Sequence, residues 1–147
     1  NPALIARCFD VAYNAGSPDD VIDSDLYVWK ERIDDELDVW LTKFRKCEHH
    51  GDLYMFFIEP DYNIKSALST ILGLKYPHRT ILVLDEKDGF INVSARRGDK
   101  RVAVNSLLEK AIKGFPLSNA GGHVPAAGAR FRVEDLPEFK KRVIEHG

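Results

Sequence analysis

The spacing of apolar residues changes character near residue 51. Upstream it is helical. Leu4, Ile5, Cys8, Phe9 and Ala12 share one face of a predicted first helix, with Asn1 as N-cap, Pro2 in the first turn and Asn14-Ala15-Gly16 as the stop. Ser17-Pro18-Asp19-Asp20 predicts a short second helix, with a Ser cap and acids at its positive end. Leu26, Trp29, Ile33, Leu37, Trp40, Phe44 and Cys47 then recur at spacings of three and four, predicting a long helix. Lys43, Arg45 and Lys46 lie at its negative end and Gly51 closes it.

Downstream, continuous apolar runs alternate with helical periods. "LYMFFI" and "TILVLD" suit strands buried on both faces. Between them Ile64, Ala67, Leu68, Ile71 and Leu72 predict a helix ended by Gly73. Asp88-Gly89 marks a turn into "FINVSARR", an alternating strand hairpinned to the one before. Val104, Leu107, Leu108, Ala111 and Ile112 give another helix, stopped by Gly114. "ARFRV" predicts a further strand, and Leu136, Phe139, Val143 and Ile144 a last helix with Pro137 in its first turn. The order β-α-β-β-α-β-α implies an α/β (α+β) fold: a small mixed sheet with flanking helices. The predicted organisation is a helical connector over residues 1–50 and an α/β domain over residues 51–147.

Composition adds an asymmetry. Residues 1–50 hold 11 acidic and 6 basic residues, whereas residues 51–147 hold 12 and 15. An anionic ligand therefore belongs on the second part. No apolar run approaches the roughly 20 residues that cross a bilayer, and no signal-peptide pattern opens the chain, so a cytoplasmic protein without a membrane partner is expected. The two cysteines, Cys8 and Cys47, form no C-x-x-C pair, and both are expected as buried free thiols. The chain starts at Asn1, as a piece of a longer protein would.

Two stretches carry candidate chemistry. In "NAGGHVPAAGARF", residues 119–131, Gly121-Gly122 permits close backbone approach, and its N–H groups can form an anion-binding concavity with His123 at the rim. The same residues also suit a tight turn whose glycines serve packing. The Lys and Ser/Thr of a nucleotide-triphosphate loop are absent. In "SARRGDKR", residues 94–101, strand alternation puts Ser94 and Arg96 on one face, a hydroxyl and a guanidinium that together can clamp a phosphate. Arg97 adds to the basic cluster, and a solvated basic arm is the alternative. Glu48-His49-His50 reads as a solvated helix terminus.

Gly121-Gly122-His123 followed by Ala126-Ala127-Gly128, after Ser94-x-Arg96 on a strand, resembles the DHHA1 domain. That domain is the C-terminal half of DHH-family phosphoesterases, which include RecJ-like exonucleases, oligoribonuclease-type enzymes and cyclic-dinucleotide phosphodiesterases. The resemblance covers roughly residues 51–147, and the opening "NPALIA" is most similar to archaeal RecJ-like proteins. The family commonly has a third glycine where this chain has Ala120. The resemblance implies that Gly121, Gly122 and His123 meet a substrate phosphate or terminal nucleotide, and that Ser94 and Arg96 hold the next phosphates. It implies a single-stranded nucleic acid as ligand, a replication or repair protein as a further partner, and manganese or magnesium in a catalytic domain that this stretch lacks. No catalytic residue and no cofactor are expected within it. The alternatives are a substrate domain for short oligonucleotides or cyclic dinucleotides, and a protein-interaction module.

Overall fold

A computed structural model describes residues 2–147, so the capping role expected of Asn1 lies outside the described residues. The helical part comprises α1 (Pro2–Asn14), α2 (Pro18–Ile22) and α3 (Tyr27–Lys43), followed by a 3-10 turn, Phe44–Lys46. The remainder is β1 (Glu48–His50), β2 (Leu53–Phe57), α4 (Lys65–Lys75), β3 (Thr80–Lys87), β4 (Phe90–Arg96), α5 (Val104–Ala111), β5 (Asn119–His123), β6 (Ala126–Arg132) and α6 (Leu136–His146). The six strands form one sheet in the order β1-β2-β3-β4-β6-β5. Only β2 and β3 run parallel; α4 provides the crossover between them. The Asp88-Gly89 hairpin turn carries positive φ at both residues, 54° and 76°, which matches the twist of the flanking strands.

This is the expected mixed sheet with flanking helices, with two strands added. Glu48-His49-His50 is an edge strand instead of a helix terminus; His49 stacks on Tyr54 of β2, and Glu48 meets Lys140 at 3.0 Å. The helix before it ends earlier than its apolar spacing predicts, so Cys47 lies beyond it. Asn119–His123 is also a strand, paired to β6, where a loop was expected. Neither segment carries the β-branched or aromatic residues that announce a strand.

The sheet separates two cores. On one face Leu82, Leu84, Val93, Ala95, Ala127, Ala129 and Phe131 pack against α5 and α6, with the Phe131 and Phe139 rings stacked at 4.4 Å. On the other face Ile81, Val83 and Phe56 lie beneath Leu68 and Leu72 of α4 and beneath Phe44. Phe44 and Trp40 both meet Phe56 edge-on, at 5.3 Å and 5.9 Å between centroids. The C-terminal half of the long apolar stripe is therefore covered by the sheet.

α1 behaves differently. Val11 is its one buried residue, whereas Ile5, Phe9 and Tyr13 are 70–78% exposed. Cys8 is exposed rather than buried. Cys47 is half-buried, and desolvation pushes its thiol up to about 11, which keeps it protonated and unreactive at neutral pH. Among the described residues no helix is long and apolar enough to cross a membrane.

Candidate functional site

α4 packs on β3 and β4, Phe44 and Trp40 cover Phe56 of β2, and among the described residues no helix packs comparably on β6 or β5 on that face of the sheet. Strand register defines what lies there. Arg96, Ala126 and His123 form one row across β4, β6 and β5. Ser94, Gly128 and Gly121 form the next row, and Asn92, Arg130 and Asn119 the one after. Residues paired directly across antiparallel strands share a face. Arg96 and His123 thus overlook the same surface, two strand spacings apart, about 10 Å between Cα atoms. The floor between them is Ala126, Gly128 and Gly121, a strip with no side chain larger than a methyl group.

The wall of this shelf is the side of α4 that faces β4. Hydrophobic spacing pointed to Ala67 and Ile71 as part of the buried stripe, yet both are exposed, and Ser69 and Gly73 are buried in their place. Small residues turn inward here because the helix lies very close to the strand. A Cβ on Gly73 would stand 2.8 Å from the Arg96 Cβ. Ser69 and Ser94 share a buried hydroxyl–hydroxyl bond of 2.8 Å. Arg96 Nη1 donates to the Ala95 carbonyl at 2.9 Å and to Ser94 Oγ at 3.4 Å; Nη2 donates to Ser66 Oγ at 3.4 Å.

Ser66 and Ser69 escape sequence reasoning that follows apolar periodicity. The signal for them is polar: two serines three apart on a helix, facing a Ser-x-Arg pair on a strand. Their effect is to hold Arg96 with neutral partners only. Among the described residues no carboxylate pairs with it, and partial burial lowers its pKa. A partly desolvated cation that is bonded to hydroxyls and a carbonyl retains its demand for an anion.

His123 is fixed from behind. The Val124-Pro125 turn joins β5 to β6, and its carbonyls are both used: Val124 O accepts from the Val104 N–H at 3.0 Å, and Pro125 O from the Arg97 N–H at 3.0 Å. The two glycines before His123 have separate reasons. Gly122 has φ +136°, and a Cβ there would lie 2.6 Å from both Ala126 O and Ala127 Cα, so the hairpin itself requires glycine. Gly121 has no heavy atom within 4 Å of an added Cβ. The residues form a strand edge, so the concavity of consecutive N–H groups expected of a turn is not formed by this segment.

Arg97 takes another place. Alternation turns it from the shelf, and it is buried with Nε donating to Asp99 Oδ1 at 2.7 Å and Nη1 to Thr80 Oγ1 at 3.3 Å. Asp99 is held well below the usual carboxylate range, first by Arg97, then by the Arg101 N–H and His78. Arg97 is thus engaged in fixing the loop after β4. The shelf's opposite end, at Asn92, opens on a cleft of about 480 Å³ that carries Asp61, Asp85 and Glu86 together with Lys65. Lys65 and Asp85 pair there at 2.9 Å, both largely buried. Among the described residues no three His, Cys, Asp or Glu side chains gather as a metal ion would need; the resemblance implies manganese or magnesium only for a separate catalytic domain.

The sequence matches the DHHA1 domain over residues 54–146. A comparison with curated proteins found no match. Among solved structures the chain is similar to RecJ from Thermus thermophilus in complex with Mg2+, with 16% identity and a TM-score of 0.68 over 89% of this chain and 21% of that one. It is similar to the pGpG-specific phosphodiesterase PggH from Vibrio cholerae, with 14% identity and a TM-score of 0.58 over 97% of this chain and 49% of that one. It is also similar to the C-Ala domain of Aquifex aeolicus alanyl-tRNA synthetase, with 19% identity and a TM-score of 0.55 over 68% of this chain and 96% of that one. The chain thus spans about a fifth of the RecJ structure and about half of PggH.

Proposed function

We infer for this chain, which belongs to the DHHA1 domain family, that the shelf over β4, β6 and β5 holds the phosphates of a single-stranded nucleic acid. Arg96 carries the reading: it is a partly buried guanidinium, surrounded by Ser94, Ser66 and Ser69, with no carboxylate partner among the described residues. A phosphate above it accepts charge-assisted hydrogen bonds and supplies the missing anion. His123, in the same row, faces a second phosphate or the chain end, and the Gly/Ala floor lets the sugar-phosphate backbone lie flat between them. The fuller proposal is the C-terminal substrate-positioning domain of an archaeal RecJ-like single-strand exonuclease. Phosphodiester hydrolysis then takes place at metals held by a separate catalytic domain, and this chain supplies orientation.

Binding over a salt series tests the reading. Fluorescence anisotropy with a 5′-phosphorylated single-stranded oligonucleotide is expected to show log affinity falling with log salt at a slope near −2, for about three phosphates at ~0.7 each. Arg96→Ala should flatten that slope by roughly 0.7 and weaken all sequences alike, since phosphate contacts carry no base information. The purified chain with manganese is expected to cleave nothing. Unchanged binding by Arg96→Ala overturns the site, and robust cleavage places hydrolysis within this chain.

A second reading, a protein-interaction module, is favoured by the outward Ile5, Phe9 and Tyr13 of α1. Absence of nucleic-acid binding at low salt, with pull-down of a replication or repair protein that is lost on deleting α1, would decide for it.

A further inference from the structure

We propose that Arg130, backed by Phe90, is a stacking platform for a nucleobase; the proposal rests on the phosphate-binding reading of the same face. The Arg130 guanidinium carbon lies 3.9 Å from the Phe90 ring centroid, so the planar group rides on the aromatic face. Phe90 is partly buried and Arg130 exposed, which leaves the opposite side of the guanidinium to solvent. Among the described residues no carboxylate pairs with Arg130. Its neighbour Arg132 differs, with Glu134 at 3.4 Å. A guanidinium plane held on one side and open on the other stacks a flat heterocycle, as single-stranded bases do on arginine.

Register places this platform usefully. Arg130 stands between Asn92 and Asn119 in one row, two residues along the strands from Ser94 and four from Arg96. At ~3.4 Å per residue it lies about 7 Å from the Ser94 row and about 14 Å from the Arg96 row, the reach from a phosphate to the base of its own or the adjoining nucleotide. The intervening floor is Gly128 and Ala126, which leaves the sugar room. Asn92 and Asn119 each offer an amide with donors and an acceptor, able to meet a base edge without demanding a charge. Beyond Asn92 lie Asp61, Asp85 and Glu86 in the adjoining cleft. With Glu59 the acids there outnumber Lys65 and Lys87, which disfavours a further phosphate and leaves a neutral ring as the better occupant.

The experiment uses the whole chain and two probes: a 5′-phosphorylated single-stranded trinucleotide, and the same sugar-phosphate chain without bases. The base-bearing probe is expected to bind the unmodified protein about ten-fold more tightly, within the range of one base–platform stack. Arg130→Lys keeps the charge and removes the plane. It should abolish that preference while leaving affinity for the abasic probe unchanged. Arg96→Ala should weaken both probes together. A base preference that survives Arg130→Lys, or no preference in the unmodified protein, overturns the platform. The phosphate reading then stands or falls separately on Arg96→Ala. Circular dichroism confirms that the variants remain folded.

Discussion

The two adjacent glycines of the Gly-Gly-His stretch should respond to substitution in opposite ways. Gly122→Ala puts a methyl group 2.6 Å from Ala126 O and Ala127 Cα, both backbone atoms of the partner strand that cannot move without opening the hairpin. The backbone at φ +136° is itself unfavourable for an L residue, at about 1–3 kcal/mol. With the overlap added, the loss should reach ~3 kcal/mol, about 6–12 °C in Tm for a chain of this size. At Gly121 an added Cβ meets no heavy atom within 4 Å, and the φ lies outside the left-handed range, so Gly121→Val is not opposed at the Cβ. A β-branched residue on a strand should leave stability unchanged or raise it by about 0.5 kcal/mol. Its side chain, however, stands on the floor of the shelf beside Gly128. Thermal melts and oligonucleotide anisotropy on both variants give the answer. Gly121→Val should melt like the unmodified chain and bind at least ten-fold more weakly. A Gly121→Val protein that binds normally would refute the placement of the ligand. A Gly122→Ala protein of normal stability would refute the steric argument.

Three further outcomes are expected. His123→Ala should weaken a terminally phosphorylated oligonucleotide and leave an internal stretch, presented as a circular single strand, little affected; equal losses on both would remove its role at a chain end. Asp99 has a folded-state pKa depressed by Arg97, so its stabilisation is present above the unfolded carboxylate range near 4 and is lost as pH falls through the folded value; Tm measured from pH 6 to pH 2 should drop in the unmodified chain and drop less in Asp99→Asn. Phe44→Ala should cost about 3–5 kcal/mol in urea unfolding, since this ring is buried against Phe56 and ties the helical segment to the sheet; a loss under 1 kcal/mol would mean that the helical segment contributes little to that core.

Apolar spacing and continuous apolar runs located the helices and long strands of residues 51–147, because buried faces recur at 3.6 or 2 residues and strands buried on both faces are apolar throughout, although α4 runs past Gly73 to Lys75. Val104, Leu107, Leu108 and Ala111 are all buried as their spacing predicted, and Phe139 and Val143 likewise. The chain also displayed the residue types of the candidate site, Ser94-x-Arg96 and Gly121-Gly122-His123, since residue chemistry is written in the order of the letters. What it could not display was which letters meet. The strand at Asn119–His123 exists because β6 pairs with it, against the weak local propensity of Ala-Gly-Gly. Ser69 and Gly73 face inward because α4 comes within contact of Arg96, a distance set by the sheet rather than by the helix's own stripe. Arg96 and Arg97 are neighbours in sequence, yet one is left without a carboxylate partner among the described residues while the other is paired with Asp99 inside the fold. That separation follows from strand alternation combined with long-range packing, and packing between distant segments is the property that local pattern does not carry.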